Sequence, residues 1–145
     1  RIQEHILARD KGLVVLAAHG ERVVAGALFL HCGQQALFKY GASHEAHQGL
    51  RANDLVMWEA IKHYARQGVE VLELGRTSMA NAGLRRFKLA WGAREQMLEY
   101  LRYDLQAREF VGARDRAYGW HNRLFRLLPL GLSRWLGSLA YRHAA

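Results

Sequence analysis

Residues 69–78 read Val69-Glu70-Val71-Leu72-Glu73-Leu74-Gly75-Arg76-Thr77-Ser78: a short apolar, β-branched stretch that gives way to glycine, a guanidinium and two hydroxyls. The first six residues predict a strand over Val69–Leu74, and the polar residues fall at its carboxyl end, where open α/β sheets place their ligands. Upstream, Asn53 or Asp54 is placed to cap a helix whose Leu55, Trp58, Ile61, Lys62 and Ala65 fall on one stripe, with Gly68 closing it. A helix between two strands is a crossover, so the strand at Val69–Leu74 is expected to run parallel to the strand before the helix. Further upstream, the apolar runs Leu13–Ala18, Val23–Cys32 and Ala36–Ala42 are separated by short polar turns and read as three antiparallel strands. Ile2, Ile6 and Leu7 give Arg1–Asp10 helical spacing.

Downstream, Asn81 begins a helix to Ala90 that Gly92 stops, and Glu95–Leu105 alternates as a long strand would. The order helix, β-β-β, α, β, α, β predicts an α/β (mixed α+β) domain over residues 1–105, with a mixed central sheet flanked by helices. Beyond it, residues 106–145 read as a basic helical tail. Trp120, Leu124, Leu127 and Leu128 share one apolar face, Pro129 interrupts, and Leu132, Trp135, Leu136 and Leu139 share another.

A chain of 145 residues, half of them hydrophobic, suffices for one domain with a substantial core. It does not begin with Met and a helix is already under way at Arg1, so a fragment of a longer protein is expected. The formal charge of +8 is concentrated in the tail, whose seven arginines outweigh Glu109 and Asp115. The remaining chain lacks the basic stripe interleaved with aromatics that single-stranded nucleic-acid binders show, which argues against that class. A single cysteine, Cys32, excludes an internal disulfide and is expected in the core. No run approaches the roughly 18 apolar residues of a membrane span, so a cytoplasmic location is expected.

Several residues carry candidate chemistry. Glu73 interrupts an apolar strand; it is either a general base that also orients Arg76, or half of a buried ion pair with Arg76, Arg85 or Arg86. Arg76, Thr77 and Ser78 suit an anionic or carbonyl-bearing substrate. In the helix that follows, Arg85 and Lys88 share one face at i, i+3, and Phe87 and Trp91 share another at i, i+4. Those cations either meet an anionic substrate or form a solvated face. Tyr40 ends a strand beside the polar loop His44–Asn53, as a hydrogen-bonding wall or an interfacial aromatic. In that loop His44, Glu45 and His47 lack a convincing third and fourth ligand, and no metal is expected.

Leu72–Ser78 followed by Asn81-x-Gly83-Leu84-Arg85-Arg86-Phe87-Lys88-x-x-Trp91-Gly92 resembles the GR(T/S)…FK…(W/F)G signature of the FemAB-like and BioF2-like acyltransferases of the GNAT superfamily. The resemblance runs from about Leu13 to Asp104, and Leu127–Gly137 is similar to the C-termini of FemAB-like proteins. It implies a GNAT-like fold without its first strand and helix, and a parent protein with two GNAT-like halves. This chain would be the second half, with the N-terminal half as its partner. It further implies transfer of an acyl or aminoacyl group to an amine of a cell-envelope precursor, of peptidoglycan or exopolysaccharide. Acyl-CoA or aminoacyl-tRNA is the implied donor substrate, with tRNA entering only as donor. By the same match Lys88 stabilises negative charge and Arg76 is a substrate or structural anchor. No nucleophilic triad is evident in the sequence, so direct attack by the acceptor amine is expected, with Glu73 or a water chain removing the proton. Acetyl-CoA users of this superfamily cradle pyrophosphate with Q/R-x-x-G-x-G/A. Here Gln48, Gly49 and Arg51 have suitable chemistry at a different spacing. The alternatives are a non-catalytic GNAT-like module and an acyl-CoA-dependent N-acetyltransferase. The tail's arginines and tryptophans suit either packing on protein or peripheral contact with the inner face of a membrane.

Overall fold

The computed structural model describes residues 2–112, and the chain divides after Arg76 into two units. The first opens with a helical turn, α1 (Ile2–His5), and a 3₁₀ turn at Leu7–Arg9, shorter than the continuous helix expected to Asp10. Asp10, at φ 52°, is left-handed, which ends the helical run there. The strands β1 (Gly12–His19), β2 (Arg22–Cys32) and β3 (Gln35–Ser43) follow, then a 3₁₀ segment at Glu45–Leu50, helix α2 (Ala52–Arg66) and strand β4 (Val71–Glu73). The sheet order is β1-β2-β3-β4; the first two pairings are antiparallel and β3 with β4 is parallel, as the helical crossover requires.

Two features of the register shape β3. Leu28 pairs with Tyr40 and Phe29 with Phe38, so Lys39 is an extra residue in a bulge. Strand β4 pairs only with Gln35–Leu37, and among the described residues no strand pairs with residues 38–43 on the side away from β2. All of β4 is therefore paired, but with only the first three residues of β3. Gly75 sits just beyond β4 at φ 68°, where a Cβ would stand 3.3 Å from the Phe38 carbonyl oxygen. Only glycine takes both that backbone conformation and that approach without strain.

Helix α2 packs on β1, β2 and β3 through Ala52, Val56, Met57, Ala60 and Tyr64. This corrects the expected stripe: Leu55 and Trp58 are about half exposed, and Ala65 is exposed. Both stripes have helical spacing, but the small side chains of Ala52 and Ala60 allow the close approach that buries Met57 and Tyr64. On the outer face Lys62 pairs with Glu59 at 2.7 Å and lies 5.8 Å above the Trp58 ring. The expected caps are also used otherwise. Asn53 Nδ2 donates to Ser43 Oγ at 3.0 Å, and Asp54 accepts from Arg51 Nε at 2.7 Å, so Arg51 begins the helix without a side-chain cap. Gly68, at φ 74°, ends the segment as expected.

The core centres on Phe29, Met57 and Tyr64, with the Phe29 ring 5.4 Å from Phe38 and 5.9 Å from Tyr64. His31 bridges this core to the N-terminal turn: its Nε2 lies 2.9 Å from the Asp10 carbonyl oxygen and its Nδ1 lies 3.1 Å from the Tyr64 hydroxyl. With Nε2 protonated, the ring donates to Asp10 and accepts from Tyr64, so both polar tips are satisfied. Cys32, expected inside, is exposed, because it sits at the turn end of β2 opposite Gln35.

Burial raises the Tyr64 pKa from 10.0 to about 12. Above pH 10 the unfolded chain releases this proton while the folded chain keeps it, so the unfolded state binds fewer protons and stability falls as pH rises towards about 12. Denaturant midpoints measured below and inside that window are expected to drop in the wild type, with a smaller drop in Tyr64→Phe.

From Thr77 onward, α3 (Ala82–Ala90) is capped as expected, with Asn81 Oδ1 accepting the Leu84 N–H at 3.0 Å. The expected long strand over Glu95–Leu105 is corrected: only Leu101–Asp104 is β5, and it pairs antiparallel with β6 (Glu109–Gly112). Asp104 Oδ1 accepts the Gln106 and Ala107 N–H groups and Arg108 is left-handed at φ 55°, so the chain turns back on itself. Those two backbone donors also hold the Asp104 carboxyl below its usual range. The strand β6 occupies residues expected to open a helical tail. The apolar faces of Trp120 to Leu139 lie outside the described residues.

Candidate functional site

The residues after Arg76 form a compact arrangement around Thr77 and Lys88. Ser78 Oγ accepts the Ala80 N–H at 3.3 Å and the Ser78 carbonyl accepts the Asn81 N–H at 2.9 Å, so the segment turns directly into α3. Lys88 lies seven residues after the cap, about two helical turns, which returns it to the side of the helix on which the chain enters. There its Nζ donates to Thr77 Oγ1 at 2.7 Å. Lys88 is 8% exposed and is the buried charged residue among those described. Removal from water disfavours its ammonium form and lowers its pKa.

This corrects the solvated-face reading at Lys88, which is taken inside, while Phe87 and Trp91 are half-buried and meet edge to face at 6.5 Å. Arg85 and Lys88 also diverge in use. Arg85 makes a two-pronged contact with Glu95, Nε to Oε1 at 2.5 Å and Nη2 to Oε2 at 2.7 Å. The hydrogen bonds and charge of this pair raise the Arg85 pKa, and hydrogen bonding to Arg85 lowers that of Glu95. A substrate anion at Arg85 would have to displace that carboxylate. Neither Ser78 nor Thr77 is fully buried.

In the first unit, Glu73 ends β4 and is exposed, which corrects its expected place in a buried ion pair; alternate residues of so short an edge strand are not enclosed on both faces. Arg76 is exposed as well. Tyr40 stands half exposed on β3, with Lys39 Nζ 5.6 Å from its ring centroid. Gln48 and Gly49 belong to the 3₁₀ segment, and the Gln48 carbonyl accepts the Arg51 N–H at 3.0 Å. The Arg51 backbone is left-handed and its side chain is 83% exposed despite its contact with Asp54. Gln48, Gly49 and Arg51 thus meet at the N-terminal end of α2, where backbone N–H groups favour an anion.

His44 and His47 contact each other with ring centroids 5.1 Å apart, and His19 lies 6.2 Å from His47. Among the described residues no group of three His, Cys, Asp or Glu side chains is arranged to hold a metal ion. The Thr77–Lys88 contact was not anticipated, although both residues had been singled out. Its sequence signal is the Asn81 cap, which fixes the helical phase and so places residue 88 under the incoming chain.

The family model described as "Acetyltransferase (GNAT) domain" matches residues 2–94. No curated protein sequence matches the chain. Among solved structures, the ribosomal-protein-alanine N-acetyltransferase from Brucella melitensis biovar Abortus 2308 is similar with a TM-score of 0.56 and 14% identity, over 67% of this chain and 74% of that one. A transcriptional regulator from Bacillus halodurans C-125 is similar with a TM-score of 0.55 and 17% identity, over 67% of this chain and 70% of that one. The ribosomal-protein-S18-alanine N-acetyltransferase from Escherichia coli is similar with a TM-score of 0.51 and 15% identity, over 76% of each chain. At such identities the likeness is one of fold.

Proposed function

The chain belongs to the acetyltransferase (GNAT) domain family, and from that premise we propose that it serves a FemAB-like acyl or aminoacyl transferase acting on an amine of a cell-envelope precursor. The observation that carries this reading is the buried Lys88, held against Thr77 at 2.7 Å within the motif that resembles the FemAB-like signature. Acyl transfer to an amine places negative charge on the carbonyl oxygen as the tetrahedral intermediate forms. A positively charged donor fixed in a water-poor place stabilises that charge far more than one in bulk water. Lys88 fills that role, with Thr77 and Ser78 beside it as substrate-contacting hydroxyls. Arg76 and Tyr40 are proposed substrate contacts, and Glu73, exposed at the end of β4, is proposed to take the proton lost by the amine. Partners in this reading are an N-terminal GNAT-like half and an envelope substrate met at the inner face of a membrane. No helix among the described residues is long and apolar enough to cross one.

The donor divides two readings. The family in general uses acyl-CoA. The start of α2 favours an acyl-CoA-dependent N-acetyltransferase, since Arg51 leaves that helix end without a side-chain cap and with Gln48 and Gly49 beside it. The altered spacing of those residues favours aminoacyl-tRNA. Acetyl-CoA and aminoacyl-tRNA, supplied separately to the intact protein with a lipid-linked peptidoglycan precursor, distinguish them. Amide formation from aminoacyl-tRNA is expected. Formation from acetyl-CoA alone would establish the second reading, and binding of the precursor without transfer from either donor would make the chain a non-catalytic module.

A further inference from the structure

The chain enters and leaves α3 on one face of that helix. On entry, Thr77 Oγ1 accepts from Lys88 Nζ at 2.7 Å. On exit, the Trp91 and Gly92 N–H groups close on the Lys88 and Leu89 carbonyls, and Gly92, left-handed at φ 75°, turns the chain. Glu95 then holds Arg85 with both carboxylate oxygens. Arg85 precedes Trp91 by about 9 Å along the helix axis, and helical side chains lean still further towards the N-terminus. Glu95 reaches it because the departing chain runs back beside the helix. Arg85 and Lys88, at i, i+3, are neighbours on that face. The entering and returning segments thus flank Lys88, the buried residue of α3, while every apolar residue of that helix keeps some access to solvent. The ion pair itself is a weak stabiliser: its side chains are 43% and 48% exposed, and so wet a pair adds little to the folded state. What it fixes is the path of the returning chain, because a two-pronged guanidinium–carboxylate contact sets distance and plane together. Hydrogen bonding to Arg85 holds the Glu95 carboxyl below its usual range, so the contact stays charged at neutral pH.

We propose that Arg85 and Glu95 are positioning residues: their pairing latches the returning chain along the face that carries Lys88 and so keeps Nζ enclosed and held beside Thr77. This rests on the reading of Lys88 as the charge stabiliser of amine acylation. With the latch undone the ammonium would be solvated and free to rotate, and would lose the advantage of a fixed donor in a water-poor place. The pairing also neutralises Arg85, so an anionic group of donor or acceptor is not drawn away from Lys88 by a second cation on the same face.

Glu95→Gln, Arg85→Gln and the exchanged pair Arg85→Glu with Glu95→Arg test this in the intact protein through two readouts. One is acetylation of each lysine by a water-soluble N-hydroxysuccinimide ester, mapped by mass, with the exposed Lys11 and Lys39 as internal standards. The other is amide formation on a lipid-linked peptidoglycan precursor from acetyl-CoA or aminoacyl-tRNA. Each single variant is expected to keep the wild-type denaturation midpoint, to raise Lys88 labelling several-fold and to lower amide formation about 10- to 100-fold; the exchanged pair is expected to restore both. Unchanged Lys88 labelling in the single variants would overturn the latch, and so would raised labelling with amide formation at the wild-type rate. A fall in midpoint that matches the loss of transfer would make the pair structural and overturn it too. Exchange that protects Lys88 again without restoring transfer would overturn it in favour of direct substrate contact by Arg85. Lys88→Met, run alongside, separates the two claims: undiminished turnover in it, or no amide from the wild type with either donor, would overturn the amine-acylation reading, whereas the labelling decides the enclosure by itself.

Discussion

Lys88→Met is expected to lower amide formation by roughly 100- to 1,000-fold, the usual consequence of removing one donor to a transition-state oxyanion, while leaving the denaturation midpoint unchanged or slightly raised. The first half follows from the position of Nζ, which no other described cation shares. Arg85 is engaged by Glu95, and Arg86 is exposed. The second half follows from the cost of burial. A lysine only 8% exposed has given up most of its hydration for contacts that include the Thr77 hydroxyl, and its lowered pKa reports that cost. Methionine is unbranched and flexible enough to follow the same path without a charge to desolvate. Thr77 loses a partner but is half-buried, so water can replace it. Loss of activity without loss of stability separates a functional lysine from a structural one; a stability loss matching the activity loss would make it structural.

Phe29→Ala is expected to cost about 3–5 kcal/mol, the largest stability effect of any single truncation in the first unit. Phe29 is fully buried, and its ring touches Phe38 on β3 and Tyr64 on α2, so it joins the sheet to the helix. It also follows the register shift opposite Lys39, so its loss would loosen the bulge in β3. Urea denaturation should show a lower midpoint at constant slope. Trp58→Ala serves as the contrast. A half-exposed side chain on the outer face of α2 should cost about 1 kcal/mol or less despite its size. Comparable losses in the two variants would mean that the helix is packed by its other stripe.

Much of the fold was legible because it depends on patterns local in sequence. The strand runs, the turn glycines, the Asn81 cap and the helical crossover fix β1 to β4, α2 and α3 and the parallel pairing of β3 with β4. What failed depends on partners distant in sequence. Residues 55, 58 and 65 and residues 52, 56, 60 and 64 have equally good helical spacing; the choice between them was made by alanines that let the helix approach the sheet. Alternation at Glu95–Leu105 satisfies the strand pattern, yet Met97, Leu98 and Leu101 are all largely exposed, and only the four residues facing β6 pair. The site was partly legible in the same sense. The types and order of Thr77, Arg85 and Lys88 gave the motif. Which cation is enclosed and which is neutralised by Glu95 follows from helical phase and from the turn after Gly92.

The central claim is that Lys88 drives acyl transfer to an amine. Its most direct test is the ratio of amide-forming turnover between wild type and Lys88→Met, in the intact protein at saturating donor and acceptor, with both shown to share one denaturation midpoint. A ratio of roughly 100 or more is predicted; a ratio near one would contradict the claim.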